Sequence, residues 1–106
     1  MTIQKLEQII KEFHQLLDAK FGANASKTES VLSCMVKLTE EVGELSEQVM
    51  LRRWRQRDHK GSYDPDDAGK EIADVIISAM MIAYELDINV SSALTNKISS
   101  IREQLS

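Results

Sequence analysis

Residues 64 to 86 read DPDDAGKEIADVIISAMMIAYEL, and this stretch predicts a helix that is buried on more than one side. Asp64 is a typical N-cap residue, Pro65 suits the first helical position, and the acids that follow favour the positive end of a helix. From Val75 to Tyr84 the sequence is apolar nearly all round. We expect this helix to begin at about residue 65 and to end at about residue 86.

Three further amphipathic segments account for most of the remaining chain. Apolar residues recur every three or four positions from about residue 2 to 21, from a capping box at residue 26 to about 57, and from a cap at Asn89 or Ser91 to residue 105. The sequence has no β-hairpin signal and no internal repeat. It predicts an all-α fold, a four-helix bundle built as a single domain over residues 1–106.

Length and composition limit the function classes. A net charge of -4 over 106 residues argues against a general nucleic-acid binder, although residues 52–57 form a local basic run. No apolar run is long enough to span a bilayer, so we expect no membrane association. One cysteine, Cys34, cannot form an internal disulfide, and no signal-peptide block is present. These features predict a cytoplasmic protein.

Two short acidic motifs carry the chemical information, EEVGE at residues 40–44 and EIAD at residues 71–74. Carboxylates three positions apart lie next to each other on one helix face, so each motif can direct two oxygen ligands to one point. If the two helices pack side by side, the carboxylates converge and repel each other unless a cation lies between them. Ligation by oxygen alone favours Mg²⁺. By helical geometry the best ligand set is Glu41, Glu44, Glu71 and Asp74.

The two motifs, with 26 residues between them (45–70), resemble those of the MazG-like nucleotide pyrophosphohydrolases of the all-α NTP pyrophosphatase superfamily. The strings EVGEL at 41–45 and EIADV at 71–75 strengthen the resemblance. It implies a hydrolase that uses Mg²⁺, or Mn²⁺ as a substitute, to cleave a nucleoside or deoxynucleoside triphosphate between the α and β phosphates. The products are the monophosphate and pyrophosphate, and nucleotide-pool housekeeping is the implied purpose. A homodimer or a dimer of dimers with shared active sites is also implied.

The resemblance assigns roles to individual residues by motif match. The metal ligands are Glu41, Glu44, Glu71 and Asp74. The catalytic candidates are Glu44, which could also orient the attacking water, and Glu40, which lies further round the helix. Spacing alone does not decide which acid is the base.

Substrate contacts are expected from four other residues. Lys97 and Arg102 resemble basic residues that many family members place after the second motif. Arg55 lies in the basic run, which is equally compatible with phosphate contact and with a solubilising helix end. Trp54 suits base stacking and interface packing equally.

Alternatives remain at this point. A phosphoribosyl-ATP pyrophosphatase would share the same metal chemistry. A non-enzymatic helical oligomerisation module would explain the apolar stripes, but it gives no reason to collect carboxylates beside them. A ferritin-like di-iron bundle requires Glu-x-x-His motifs, which the chain lacks.

Three other features give expectations. Gly43 and Gly69 each lower helix propensity, by roughly 1 kcal/mol, which predicts close approach of another helix or a ligand. His14 and His59 are expected at the surface or in loops, with no part in catalysis. The apolar surplus of the third helix predicts self-association.

Overall fold

The structure is a computed structural model that describes residues 1–21, 27–53 and 63–106. These residues form four α-helices, and no β-strand lies among them. The helices are α1 (Ile3–Phe21), α2 (Lys27–Arg53), α3 (Pro65–Glu85) and α4 (Val90–Leu105). The predicted all-α class is therefore confirmed. The predicted cap at Ser26, and the predicted continuation of the second helix past Arg53, lie outside the described residues.

Side-chain caps fix the starts of α3 and α4. The carboxylate of Asp64 accepts a hydrogen bond from the Asp66 backbone N–H at 2.9 Å. The side chain of Asn89 accepts one from the Ser92 backbone N–H at 3.0 Å. Each cap satisfies an N–H group that has no partner within the helix. Asn89, and not Ser91, is thus the N-cap of α4.

The C-terminal end of α3 is closed by a Schellman motif. The Ile88 N–H donates to the Ala83 carbonyl at 2.9 Å, and the Asp87 N–H donates to the Tyr84 carbonyl at 3.2 Å. Asp87 has a φ of 56°, the left-handed conformation that glycine usually supplies at this position. The chain therefore leaves α3 within two residues and reaches the cap of α4 at Asn89.

The described chain divides into two compact units, residues 1–31 with 80–106 and residues 32–79. In the first unit α1 contacts α4, and the buried apolar side chains are Ile10, Met80 and Ala83. In the second unit the buried residues are Ala68, Ser78 and Glu41. The prediction of a single domain stays a prediction. None of the four described helices offers a stretch that could cross a bilayer.

His14 is more enclosed than expected. Its Nε2 pairs with the carboxylate of Glu85, and its Nδ1 lies 3.2 Å from the Asp18 carboxylate. The imidazole is tilted against the Tyr84 ring, with 4.6 Å between the ring centroids. Only 19% of the His14 side chain is exposed. The expectation of a surface position is wrong, because His14 connects α1 to the C-terminal end of α3. His59 lies outside the described residues.

Large apolar side chains remain exposed on all four helices. No residue of α4 is buried, and Ile98 on this helix is 46% exposed. On α3, Ile72 and Ile76 are nearly half exposed, whereas Met80 is only 6% exposed. The predicted burial of α3 on more than one side is thus found around Met80. Within a single chain it is not found at Ile72 and Ile76.

Both helical glycines lie in open space. A Cβ atom built at Gly43 or Gly69 meets no atom within 4 Å among the described residues. The predicted close approach of another helix is therefore wrong for the described part of the chain. The helix-propensity cost at these positions is uncompensated there.

We expect Gly69→Ala to raise the free energy of unfolding by roughly 0.5–1 kcal/mol. Alanine restricts the unfolded chain, and its methyl group meets open space in the helix. Urea denaturation measures the change, and the reverse substitution Ala79→Gly on the same helix should lower stability by a similar amount. A loss of stability in Gly69→Ala would show that other atoms pack against this position.

Candidate metal centre

Within the second unit, α2 and α3 face each other in an antiparallel register. Three side-chain contacts define this register. As the contacting residue on α2 moves towards the C-terminus, its partner moves by the same number of residues towards the N-terminus of α3 and the segment before it. The contacts join Glu41 with Asp74, Glu44 with Glu71, and the Arg52 guanidinium with the Tyr63 ring at 5.8 Å from its centroid. The two acidic motifs, separated by 26 residues (45–70) in sequence, therefore face each other.

Three carboxylates converge in this register. Glu41, Glu44 and Glu71 each offer one oxygen, and these oxygens lie within 4.8 Å of one another. Glu41 is only 3% exposed, Glu71 is half-buried and Glu44 is exposed. The cluster is thus anchored on a buried side and open to solvent at Glu44. Asp74 is exposed and interacts with Glu41, but it is not one of the three converging groups.

Two oxygens of the cluster are buried without a hydrogen-bond partner. These are Oε2 of Glu41 and Oε2 of Glu71. A neighbouring acid can satisfy them only when it is protonated, because an ionised carboxylate has no proton to donate. Buried polar atoms in native proteins are almost always paired, so an unpaired, buried carboxylate oxygen is suited to accept a cation or a hydrogen-bond donor. The cluster fits a bound cation on this ground.

The ionisation of Glu44 reflects the crowding of negative charge. A hydrogen bond with Glu71 raises the pKa of Glu44, and the charges of Glu41 and Glu71 raise it further. Like charges at short range disfavour the ionised form of a carboxyl group. A divalent cation at this point would remove the repulsion, and an all-oxygen donor set is the set that Mg²⁺ prefers.

Lys37 compensates part of this charge. Its Nζ lies 2.7 Å from Oε1 of Glu41, one helical turn away on α2. This hydrogen bond lowers the pKa of Glu41 and raises the pKa of Lys37. Sequence reasoning missed Lys37, although its position four residues before Glu41 is a helix-pairing signal.

Gln48 is a second residue to which the sequence pattern assigned no role. Its Oε1 is buried and has no hydrogen-bond partner. Gln48 lies four residues after Glu44, so it continues the strip of α2 that carries the cluster. The polar strip of α2 therefore extends beyond the acids.

Five other residues were also assigned to the site from the sequence. Glu40 is exposed on α2 and is not among the three converging carboxylates. Lys97 and Arg102 are exposed on α4, in the first unit. Trp54 and Arg55 lie outside the described residues.

Comparison with known proteins gives one informative relationship. No family model matches the chain, and no solved structure matches it. The chain is 30% identical over 87 residues to an uncharacterized protein, YpjD of Bacillus subtilis (strain 168). The aligned segment covers 82% of this chain and 78% of YpjD.

We expect Glu44→Gln to stabilise the metal-free protein at neutral pH. Because the pKa of Glu44 is raised, the folded state binds this proton more tightly than the unfolded chain does. The free energy of unfolding should therefore fall as pH rises from the ordinary carboxyl range through the raised pKa of Glu44. Glutamine has no charge and removes this loss. The lowered pKa of Glu41 acts below the ordinary range, outside this window.

The measurement is the urea midpoint in EDTA across this pH window, for wild type and variant. Glu47→Gln is the matched control, because it removes the same charge from an exposed position of α2. Equal midpoints for Glu44→Gln and wild type at neutral pH would contradict the repulsion that we infer.

Proposed function

The chain belongs to the same protein family as YpjD of Bacillus subtilis, and we propose that it is a magnesium-dependent nucleoside triphosphate pyrophosphatase. The observation that carries the proposal is the convergence of Glu41, Glu44 and Glu71 with two buried, unpartnered oxygens. The resemblance of both acidic motifs to those of MazG-like enzymes supports it. The proposed reaction is hydrolysis of a nucleoside or deoxynucleoside triphosphate to its monophosphate and pyrophosphate.

Hydrolysis between the α and β phosphates requires charge neutralisation and an activated water. Glu41, Glu44, Glu71 and Asp74 are the proposed holders of Mg²⁺, for which Mn²⁺ could substitute. When bound, the ion supplies neutralisation of phosphate charge and a lowered pKa of water. The buried carboxylate of Glu41 provides a fixed ligand, since it is enclosed on the helix interface.

Glu44 is the proposed proton acceptor. Its side chain is exposed, so a water molecule and a substrate can reach it from solvent. Its carboxylate could then accept a proton from that water. Glu40 stays a proposed catalytic residue that acts from outside the converging set.

Substrate binding is proposed for Lys97, Arg102, Trp54 and Arg55, with the basic residues on the phosphates and Trp54 on the base. A triphosphate carries several negative charges, and cationic side chains are needed to hold the leaving pyrophosphate. The same metal chemistry would serve a phosphoribosyl-ATP pyrophosphatase. This substrate therefore belongs in the first activity screen.

Self-association is part of the proposal. We propose a MazG-like four-helix fold that assembles as a homodimer or a dimer of dimers. Exposed apolar side chains on α3 and α4 support it, because soluble monomers rarely expose large apolar patches. We further propose a cytoplasmic enzyme of nucleotide-pool housekeeping with no nucleic-acid or membrane partner.

The activity is tested with a panel of NTPs, dNTPs and phosphoribosyl-ATP in the presence of Mg²⁺. We expect pyrophosphate as the first product, abolition of hydrolysis by EDTA, and recovery on addition of Mg²⁺ or Mn²⁺. Orthophosphate as the first product would move cleavage to the terminal phosphate and contradict the proposal.

The same assay tests the ligands one at a time. Glu41→Gln, Glu44→Gln, Glu71→Gln and Asp74→Asn should each remove nearly all activity, because each removes a charged ligand from the proposed reaction centre. Circular dichroism checks that each variant is folded, and Glu47→Gln serves as the control. A variant that keeps its activity strikes that residue from the ligand set.

Assembly is tested by light scattering. We expect a mass of at least twice the 12.0 kDa chain mass and, for a dimer of dimers, four times that mass. Ile76→Glu should reduce the mass without unfolding the chain, because Ile76 is 47% exposed. Met80→Glu is unsuitable as an interface test, because Met80 is buried within the chain. A fully active 12.0 kDa monomer would refute the assembly.

A further inference from the structure

We propose that Lys37 is the positioning residue for the metal ligand Glu41. In this inference, which rests on the proposed metal site, the Lys37 ammonium holds one oxygen of the Glu41 carboxylate. The other oxygen is thereby presented to the cation. Lys37 does not contact the reacting atoms and acts only through Glu41.

The two oxygens of Glu41 have different surroundings. Oε1 lies 2.7 Å from the Nζ of Lys37, a short charge-assisted hydrogen bond. Oε2 is buried and has no hydrogen-bond partner. The carboxylate as a whole is enclosed, with 4% of the Glu41 side chain exposed. One oxygen is thus occupied and the other is left for a ligand.

The pair has the geometry of an orienting contact. Lys37 and Glu41 are one turn apart on α2, so the helix itself fixes the spacing of their backbones. A carboxylate that is held through one oxygen cannot rotate freely, and the direction of the other oxygen is then set. Partners of this kind around a metal ligand typically change metal affinity by about 10- to 100-fold when they are removed.

A competing role makes the opposite prediction. If the lysine only neutralises Glu41 in the metal-free protein, it competes with the cation. Its removal would then tighten metal binding, because a positive charge next to a dication is lost. The sign of the change in affinity therefore separates the two roles.

The experiment measures Mn²⁺ binding to the nucleotide-free, full-length protein by electron paramagnetic resonance. We expect Lys37→Met to weaken binding by about 10- to 100-fold and Lys37→Arg, which keeps the charged donor, to restore most of it. Lys11→Met is the matched control, because it removes the same charge from an exposed position on α1, in the other unit. Its affinity should equal that of the wild type.

Each other outcome overturns the inference in a distinct way. If the wild type binds Mn²⁺ and Lys37→Met binds it equally or more tightly, the positioning role of Lys37 is refuted. The proposed metal centre is not affected by that result. Absence of Mn²⁺ binding in the wild type refutes the proposed metal centre as well. Lys37→Gln keeps a hydrogen-bond donor without the charge, and it replaces Lys37→Met if circular dichroism shows that the methionine variant is unfolded.

Discussion

Repulsion among Glu41, Glu44 and Glu71 is the constraint on which the second unit depends. Three carboxylates with oxygens within 4.8 Å cannot all stay ionised at low cost unless positive charge is nearby. The raised pKa of Glu44 is one response to this constraint, and the ion pair of Lys37 with Glu41 is another. Both responses leave buried oxygens unpaired. This concentrated electrostatic cost is the observation on which the proposed metal site rests.

The antiparallel register of α2 and α3 brings the acids of the two motifs together in one candidate site. Glu41 and Glu44 project from one helix and meet Glu71 and Asp74 from the other, and the Arg52 contact with Tyr63 continues the same register. Because both partners are helical, three- and four-residue spacings on one helix match those on the other. Rigid helices are suitable supports for ligands, since they hold side chains more precisely than loops do.

Apolar exposure is the second physical feature of the chain. On α4 no residue is buried, and on α3 the isoleucines at 72 and 76 stay nearly half exposed while Met80 is enclosed. Burying apolar area contributes about 25 cal/mol per Å², so a partner surface of matching shape would gain stability by covering these side chains. The proposed self-association and the proposed metal chemistry thus rest on different observations.

The sequence by itself determined the helices and the identity of the acids, whereas only the tertiary structure decided how those acids differ. Period 3.6 stripes and the caps at Asp64 and Asn89 are local signals, and local hydrogen bonds enforce them whatever the tertiary environment. Helical geometry selected Glu41, Glu44, Glu71 and Asp74 as one set, and the structure brings together the three glutamates without Asp74. Two expectations about surroundings were wrong: no other helix approaches the two glycines within the described residues, and His14 is enclosed by a contact that is distant in sequence. The approach of a ligand to the glycines stays a prediction. The tertiary structure buried Glu41, exposed Glu44 and left one oxygen of Glu41 without a hydrogen-bond partner. The pairing of Lys37 with Glu41, by contrast, is local to α2. Helical spacing places a side chain on one face of its helix. Its exposure and its ionisation also depend on which residues of the facing helix lie opposite it. That information lies in the register between α2 and α3, which pairs residues about 30 positions apart and which no local pattern encodes.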